Sequence, residues 1–217
     1  MIGYIKHAFV LSVILMSGCA SYSMHELPPL QAWPLTADAA QQKPTAFVRA
    51  TAFYQANGGE GRTVAGAPAA LWESAIVDAF RESGRFSRVT TDKVDSDIYA
   101  EATLYNNEQY SVASAVVTGL TMFIIPSTAK NTFTLETVFK DKDGKELGRI
   151  RKSESVRTWM QLVLIVALPF QQDTREVVQT LARSTLEEAV QRQLLYSRPL
   201  AKRPWLSVVN WSGIRIG

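Results

Sequence analysis

The chain has 217 residues, 47% apolar and 20% charged, a balance that suits one globular domain with tails and excludes a disordered polyelectrolyte. Twenty-three Lys and Arg stand against 20 Asp and Glu, a net charge of +3 that is too mild for a dedicated nucleic-acid binder. A single cysteine excludes a disulfide within the chain, so stability has to come from packing.

In chain order, Lys6 supplies a positive start, Ala8 to Leu15 an apolar run, and Met16-Ser17-Gly18 a small-residue ending before Cys19. That is the layout of a secretory signal, and the uncharged run from His7 to Cys19 is shorter than the roughly 20 residues a membrane span needs. Residues 16 to 19 resemble the lipobox of bacterial lipoproteins, with Met16 where Leu is usual. The resemblance implies cleavage between Gly18 and Cys19, loss of a signal peptide over 1–18, and a diacylglyceryl, palmitate-type anchor on Cys19. By similarity to enteric sorting, where Asp after the cysteine retains lipoproteins, Ala20 implies the outer membrane, with the chain facing the periplasm. Removing residues 1–18 takes away one lysine and leaves 199 residues with 22 basic against 20 acidic groups.

Residues 19–44 hold Pro28, Pro29, Pro34 and Pro44 with little hydrophobic period, and read as a lipidated N-terminus and an extended tether. The other reading is a segment docked through Leu27, Leu30, Trp33 and Leu35. A single α+β domain is expected over 45–195. Ala46 to Gln55 alternates as a strand, with Phe47, Arg49, Thr51 and Phe53 on one face and Val48, Ala50, Ala52 and Tyr54 on the other. After a glycine-rich loop, Pro68 opens an amphipathic helix carrying Leu71, Trp72, Ala75, Ile76, Ala79 and Phe80, and Gly84 ends it. Phe86 to Val89 begins a second strand, and Ile98 to Leu104 alternates as a third. Thr132 to Lys140 and Glu146 to Thr158 flank Asp143-Gly144 as a hairpin. Asp173 and Glu176 have the spacing of a capping box, opening a helix with Val178, Leu181, Ala182, Leu186 and Ala189 on one stripe. The order β-α-β-β-β-β-α predicts a two-layer fold, a mixed, largely antiparallel sheet with two helices on one face.

The run from Trp72 through Ser83-Gly84-Arg85-Phe86-Ser87-Arg88-Val89 to Asp97-Ile98-Tyr99-Ala100 resembles the small α/β domains of envelope proteins, such as the Tol translocation protein and the curli secretion lipoprotein. About 35 residues carry that resemblance.

Two uncharged stretches fall outside this plan, Tyr110 to Ala129 within 110–129 and Thr158 to Gln172 within 158–172. They bracket a hairpin with eight Lys and Arg from Lys130 to Arg157 against five acids. Either both stretches are core segments, or they emerge together and enter a bilayer while the basic hairpin meets anionic headgroups. On the second reading the candidate membrane contacts are Met122, Phe123, Ile124, Ile125, Trp159, Leu162 and Leu164. The tail 196–217 adds Trp205 and Trp211 among basic residues without any acid, a mixture that suits a membrane interface or an edge strand.

Catalytic groups are scarce. His25 is the one histidine after the signal, so no Ser-His-Asp, Cys-His or His-metal set can be assembled. Gly59 and Gly61 open like a dinucleotide fingerprint, but Val64 occupies the third glycine position. The expectations are therefore no enzyme activity, no catalytic residue, no metal and no cofactor. Two functional readings stand: a membrane-anchored accessory or binding module of an envelope machine, with a protein partner, or an oligomeric pore or secretion subunit inserting the two apolar stretches. The sequence leaves the oligomeric state open.

Overall fold

The computed structural model describes residues 18–35, 42–161 and 173–195. Most of the signal, the tail 196–217 and the candidate contacts Leu162, Leu164, Trp205 and Trp211 lie outside the described residues. The elements follow as β1 (Gly18–Ser23), β2 (Thr45–Ala56), β3 (Arg62–Thr63), α1 (Ala67–Glu82), β4 (Arg88–Thr90), β5 (Ile98–Tyr110), α2 (Val112–Leu120), β6 (Ser127–Asp141), β7 (Glu146–Gln161) and α3 (Thr174–Gln191).

One mixed sheet runs β1-β7-β6-β5-β2-β3, with β4 also on β2. The hairpin forms because Asp141 Oδ1 accepts the N–H groups of Asp143 (3.0 Å) and Lys145 (2.9 Å), while Gly144 takes the positive φ of +79° that a side chain would resist. Strand β2 lies parallel to β5 and to β4, as a strand–helix–strand connection requires, and the other long pairings are antiparallel. A reciprocal clamp starts the parallel pair: Asp97 Oδ2 accepts from Thr45 N and Thr45 Oγ1, both at 2.8 Å, and Asp97 N donates back to Thr45 Oγ1 at 3.0 Å.

The α+β expectation holds, with the core between one sheet face and the helices α1 and α3. Ala46, Val48, Ile98, Ala100, Leu104, Leu135, Phe139 and Ile150 meet Ile76, Phe80, Val178, Leu181 and Leu186 there. Pro68 sits in the first turn of α1 and Gly84 just past its end, at φ +72°. Asp173 caps α3 by accepting from Arg175 N at 2.9 Å. The sequence pattern did not foresee β1, β3 or α2.

The tether expected over residues 19–44 is corrected as far as Leu35. Strand β1 pairs antiparallel with β7, placing Cys19 opposite Met160 and Ser23 opposite Val156. Beyond it the buried Glu154 carboxylate accepts from Ser23 Oγ (2.7 Å), Glu26 N (3.3 Å) and Leu27 N (3.0 Å). The chain then crosses the helix layer. Gln31 N donates to Glu187 at 2.9 Å, Arg183 stacks 5.3 Å over the Trp33 ring, and buried Leu35 donates its N–H to Ser83 O at 3.0 Å. The prolines do favour extended backbone, but extended backbone is also what an edge strand and a strap need. Leu27 and Trp33 against the core decide between tether and strap.

Candidate functional site

The unexplained apolar surface lies at one end of the sheet. Strand β5 ends at Tyr110 opposite Ala129, β6 begins at Ser127 opposite Met160, and Met160 in turn faces Cys19. The chain between β5 and β6 forms a lobe made of α2 and the turn after it. Ser111 caps α2, its Oγ accepting from Ser114 N at 3.2 Å, and Thr121 Oγ1 donates to Val117 O at 2.9 Å to close the helix.

Within α2 only Thr118 is buried, whereas Leu120 is 81% exposed, Met122 64% and Ile124 68%. Val112, Val116, Val117 and Ile125 are exposed as well. Among the described residues the core alternative for 110–129 is therefore not met by the lobe, which projects beyond the sheet and touches mainly the beginning of β6. Met122 and Phe123 adopt consecutive left-handed conformations, φ +49° and +62°, which cost residues other than glycine roughly 1 to 2 kcal/mol each. That turn is held by Phe123 N donating to Thr118 O at 2.8 Å, and it leads into the exposed pair Ile124 and Ile125.

The sequence-selected residues Met122, Phe123, Ile124 and Ile125 thus share one lobe, with Phe123 half-buried. Trp159, 37% exposed, stands at the same end of the sheet, opposite Thr128 on one side and Ala20 on the other. Strand β7 also finishes here at Gln161, inside the second apolar stretch 158–172, whose residues from 162 on lie outside the described residues. Sequence reasoning missed the α2 residues Val112, Val116, Val117 and Leu120. An uncharged segment that is too short and too interrupted to be a span was their only signal.

The basic hairpin extends away from this end of the sheet. Its turn lies 14 residues along β6 from Ser127, roughly 45 Å away at about 3.3 Å per residue. Half of its eight cations pair with carboxylates along the strands: Lys140 with Glu101 (2.6 Å), Arg149 with Glu136 (2.7 Å), Arg151 with Glu136 (3.8 Å) and Lys152 with Glu188 (2.5 Å). Of the eight, Lys130 and Arg157 sit at the lobe end. On the β2–β5 edge of this end, Tyr54 donates to Glu108, and that bond, burial and the carboxylate's charge push the phenol up to about 12.

Nine helical residues rise about 14 Å, half of a hydrocarbon core about 30 Å thick, and among the described residues no helix is long and apolar enough to cross a membrane. No group of three or more His, Cys, Asp or Glu among the described residues could hold a metal ion.

No family model and no curated protein matches the chain. Among solved structures it is similar to a protein from Xanthomonas campestris of the DUF330 family, at 13% identity and TM-score 0.40, with 73% of this chain and 92% of that one covered. It is also similar to a PelC dodecamer from Paraburkholderia phytofirmans, at 12% identity and TM-score 0.31, covering 84% of this chain and 100% of that one. A DUF4136 family protein from Bacteroides thetaiotaomicron aligns at 11% identity and TM-score 0.30, covering 84% and 99%. Likeness at this level carries no function across.

Proposed function

We propose that the chain is an envelope lipoprotein, anchored through Cys19 in the outer membrane and facing the periplasm. Its domain rests directly on the bilayer and serves as a non-enzymatic binding module for an envelope machine. One observation supports this above the others: the rung Cys19–Met160–Ser127 puts the lipidation residue and the root of the exposed lobe at the same end of the sheet. The two-chain diacylglyceryl anchor keeps the chain at the membrane, and a second contact nearby fixes how the domain sits on the surface.

On this reading Leu120, Met122, Ile124 and Ile125 enter the headgroup–acyl boundary, and the Trp159 indole sits at headgroup level, where amphipathic rings are favoured. The distal hairpin, with its paired charges, points toward the aqueous side and is the surface left for a partner.

Labelling with a fatty-acid analogue tests the anchor, because a serine hydroxyl cannot replace the thiolate as acceptor. Wild type is expected to take label and Cys19→Ser to take none; equal labelling sinks the lipoprotein assignment. Docking is tested with the chain from residue 18 carrying Cys19→Ala, which keeps every described element. Binding of this chain to phosphatidylcholine vesicles, lost on Leu120→Asp with Ile124→Asp, is the expected result. No vesicle binding by the unsubstituted lobe would leave the lipid as the whole attachment.

A further inference from the structure

Beside the lobe, on the sheet face away from the helices, lies an open groove of about 730 Å³ lined by Asn57, Ser111, Ser114, Thr128, Lys130 and Arg157 among others. Its charged members are unusual in their pairing. Lys130 and Arg157 stand directly opposite each other across β6 and β7, and Lys130 faces the neutral Gln109 on β5. Like charges directly opposed on neighbouring strands destabilise a sheet. Elsewhere on this face the hairpin cations Lys140, Arg149 and Arg151 each reach a carboxylate. In the groove, the one ion pair among the described residues is Lys130 with Glu26, at a loose 3.8 Å and with both side chains about one-third exposed. Arg157 has no carboxylate partner among the described residues.

The rest of the lining is polar and uncharged. Asn57 Oδ1 accepts from Tyr110 N at 2.9 Å, which leaves its amide NH₂ as a donor, and Ser114 and Thr128 add hydroxyls. Two half-buried cations, an amide and hydroxyls make a site for a compact oxyanion with several acceptor oxygens. Its position selects the source: the groove opens at the level of Tyr110 and Ala129, next to the apolar lobe and beside Trp159.

We propose that this groove binds the phosphate of an anionic lipid headgroup, with Lys130 and Arg157 as its charged ligands. The inference rests on the membrane-surface reading above and deepens it. The lobe supplies attachment to any bilayer, and the groove supplies preference for an anionic one.

The test compares vesicles of phosphatidylcholine alone with vesicles that also contain phosphatidylglycerol, using the chain from residue 18 with Cys19→Ala. Anionic lipid is expected to tighten binding, and Lys130→Gln with Arg157→Gln to remove about tenfold of that gain while binding to neutral vesicles and melting temperature hold. Lys142→Gln with Lys145→Gln takes the same charge from the distal turn and is expected to leave the gain intact. Equal loss in the two pairs, or no gain from anionic lipid in the unsubstituted chain, overturns the site. Absence of binding to neutral vesicles instead tells against the membrane-surface reading itself. Inorganic phosphate provides the arm without membranes: a rise in melting temperature that the groove variant abolishes, with no gain on anionic vesicles, reassigns the groove to free phosphate and overturns the lipid. Should the double variant fold poorly, Arg157→Gln alone carries the comparison.

Discussion

Helices α1 and α2 are both rich in apolar residues, yet α1 buries Trp72, Ala75, Ile76, Val77, Ala79 and Phe80 whereas α2 buries only Thr118. The difference is one of place. Helix α1 lies on the sheet face against α3, so its stripe meets Leu181, Leu186 and the strands. Helix α2 starts where β5 has already ended and stands off the end of the sheet, where the beginning of β6 is its main neighbour. Composition agrees with this division: α1 carries Glu73, Asp78, Arg81 and Glu82, of which Asp78 and Glu82 pair with Arg175 and Arg183 of α3, and α2 has no charged residue at all. An uncharged helix left largely exposed among the described residues is an interaction surface.

The sharpest way to break that comparison is truncation in both helices. Phe80→Ala, at a ring only 1% exposed, is expected to cost about 3 to 5 kcal/mol in chemical denaturation, and Trp72→Ala about the same. Val116→Ala in α2 is expected to stay within about 0.5 kcal/mol. Similar losses in the two helices would mean that α2 is packed after all.

Next in size is Glu154→Ala. Three donors from the N-terminal strap converge on that buried carboxylate, so its loss is expected to cost about 2 to 3 kcal/mol and to raise amide exchange at Glu26 and Leu27. Unchanged stability would restore the free tether and with it a domain held far from the lobe's bilayer. Leu120→Asp with Ile124→Asp acts on binding and not on stability: vesicle binding at least about a hundredfold weaker, and so lost, at unchanged melting temperature, since burying each of the two side chains is worth roughly 1.5 to 3 kcal/mol.

The smallest effects are in pH. Hydrogen bonds from Thr45 lower the Asp97 carboxyl below its ordinary 3.8, so the folded state favours the charged form. That stability is full above the unfolded value and is lost as pH falls through the folded one, and Asp97→Asn is expected to flatten the acid limb of the melting profile. Tyr54 is the opposite case. Its folded value of about 12 lies above the ordinary 10.0, so its contribution is full below pH 10 and fades toward pH 12, and Tyr54→Phe is expected to remove that alkaline step.

Much of the fold was legible in the chain because local chemistry specified it. The Asp143-Gly144 turn, Pro68 and Gly84 around α1 and the cap at Asp173 each act within a few residues, and period-2 and period-3.6 patterns assign the faces that carry Val48, Ala100 and Phe80 to the core. The strap was not legible, since its prolines are equally compatible with a free and a docked segment. Glu154, which decides the matter, lies more than 120 residues away in sequence. The candidate site was legible only as an uncharged stretch. That Ile124 and Leu120 are exposed, and that Lys130 stands directly opposite Arg157, are consequences of sheet register and of where the sheet ends. By itself, then, the sequence determined the two long helices with their buried stripes, the hairpin and other main strands, and Cys19 as the one lipidation candidate. Only the tertiary structure decided that Cys19, the apolar lobe and the two groove cations share one end of the domain, because strand pairing joins residues 19, 127 and 160 through contacts that no local pattern encodes.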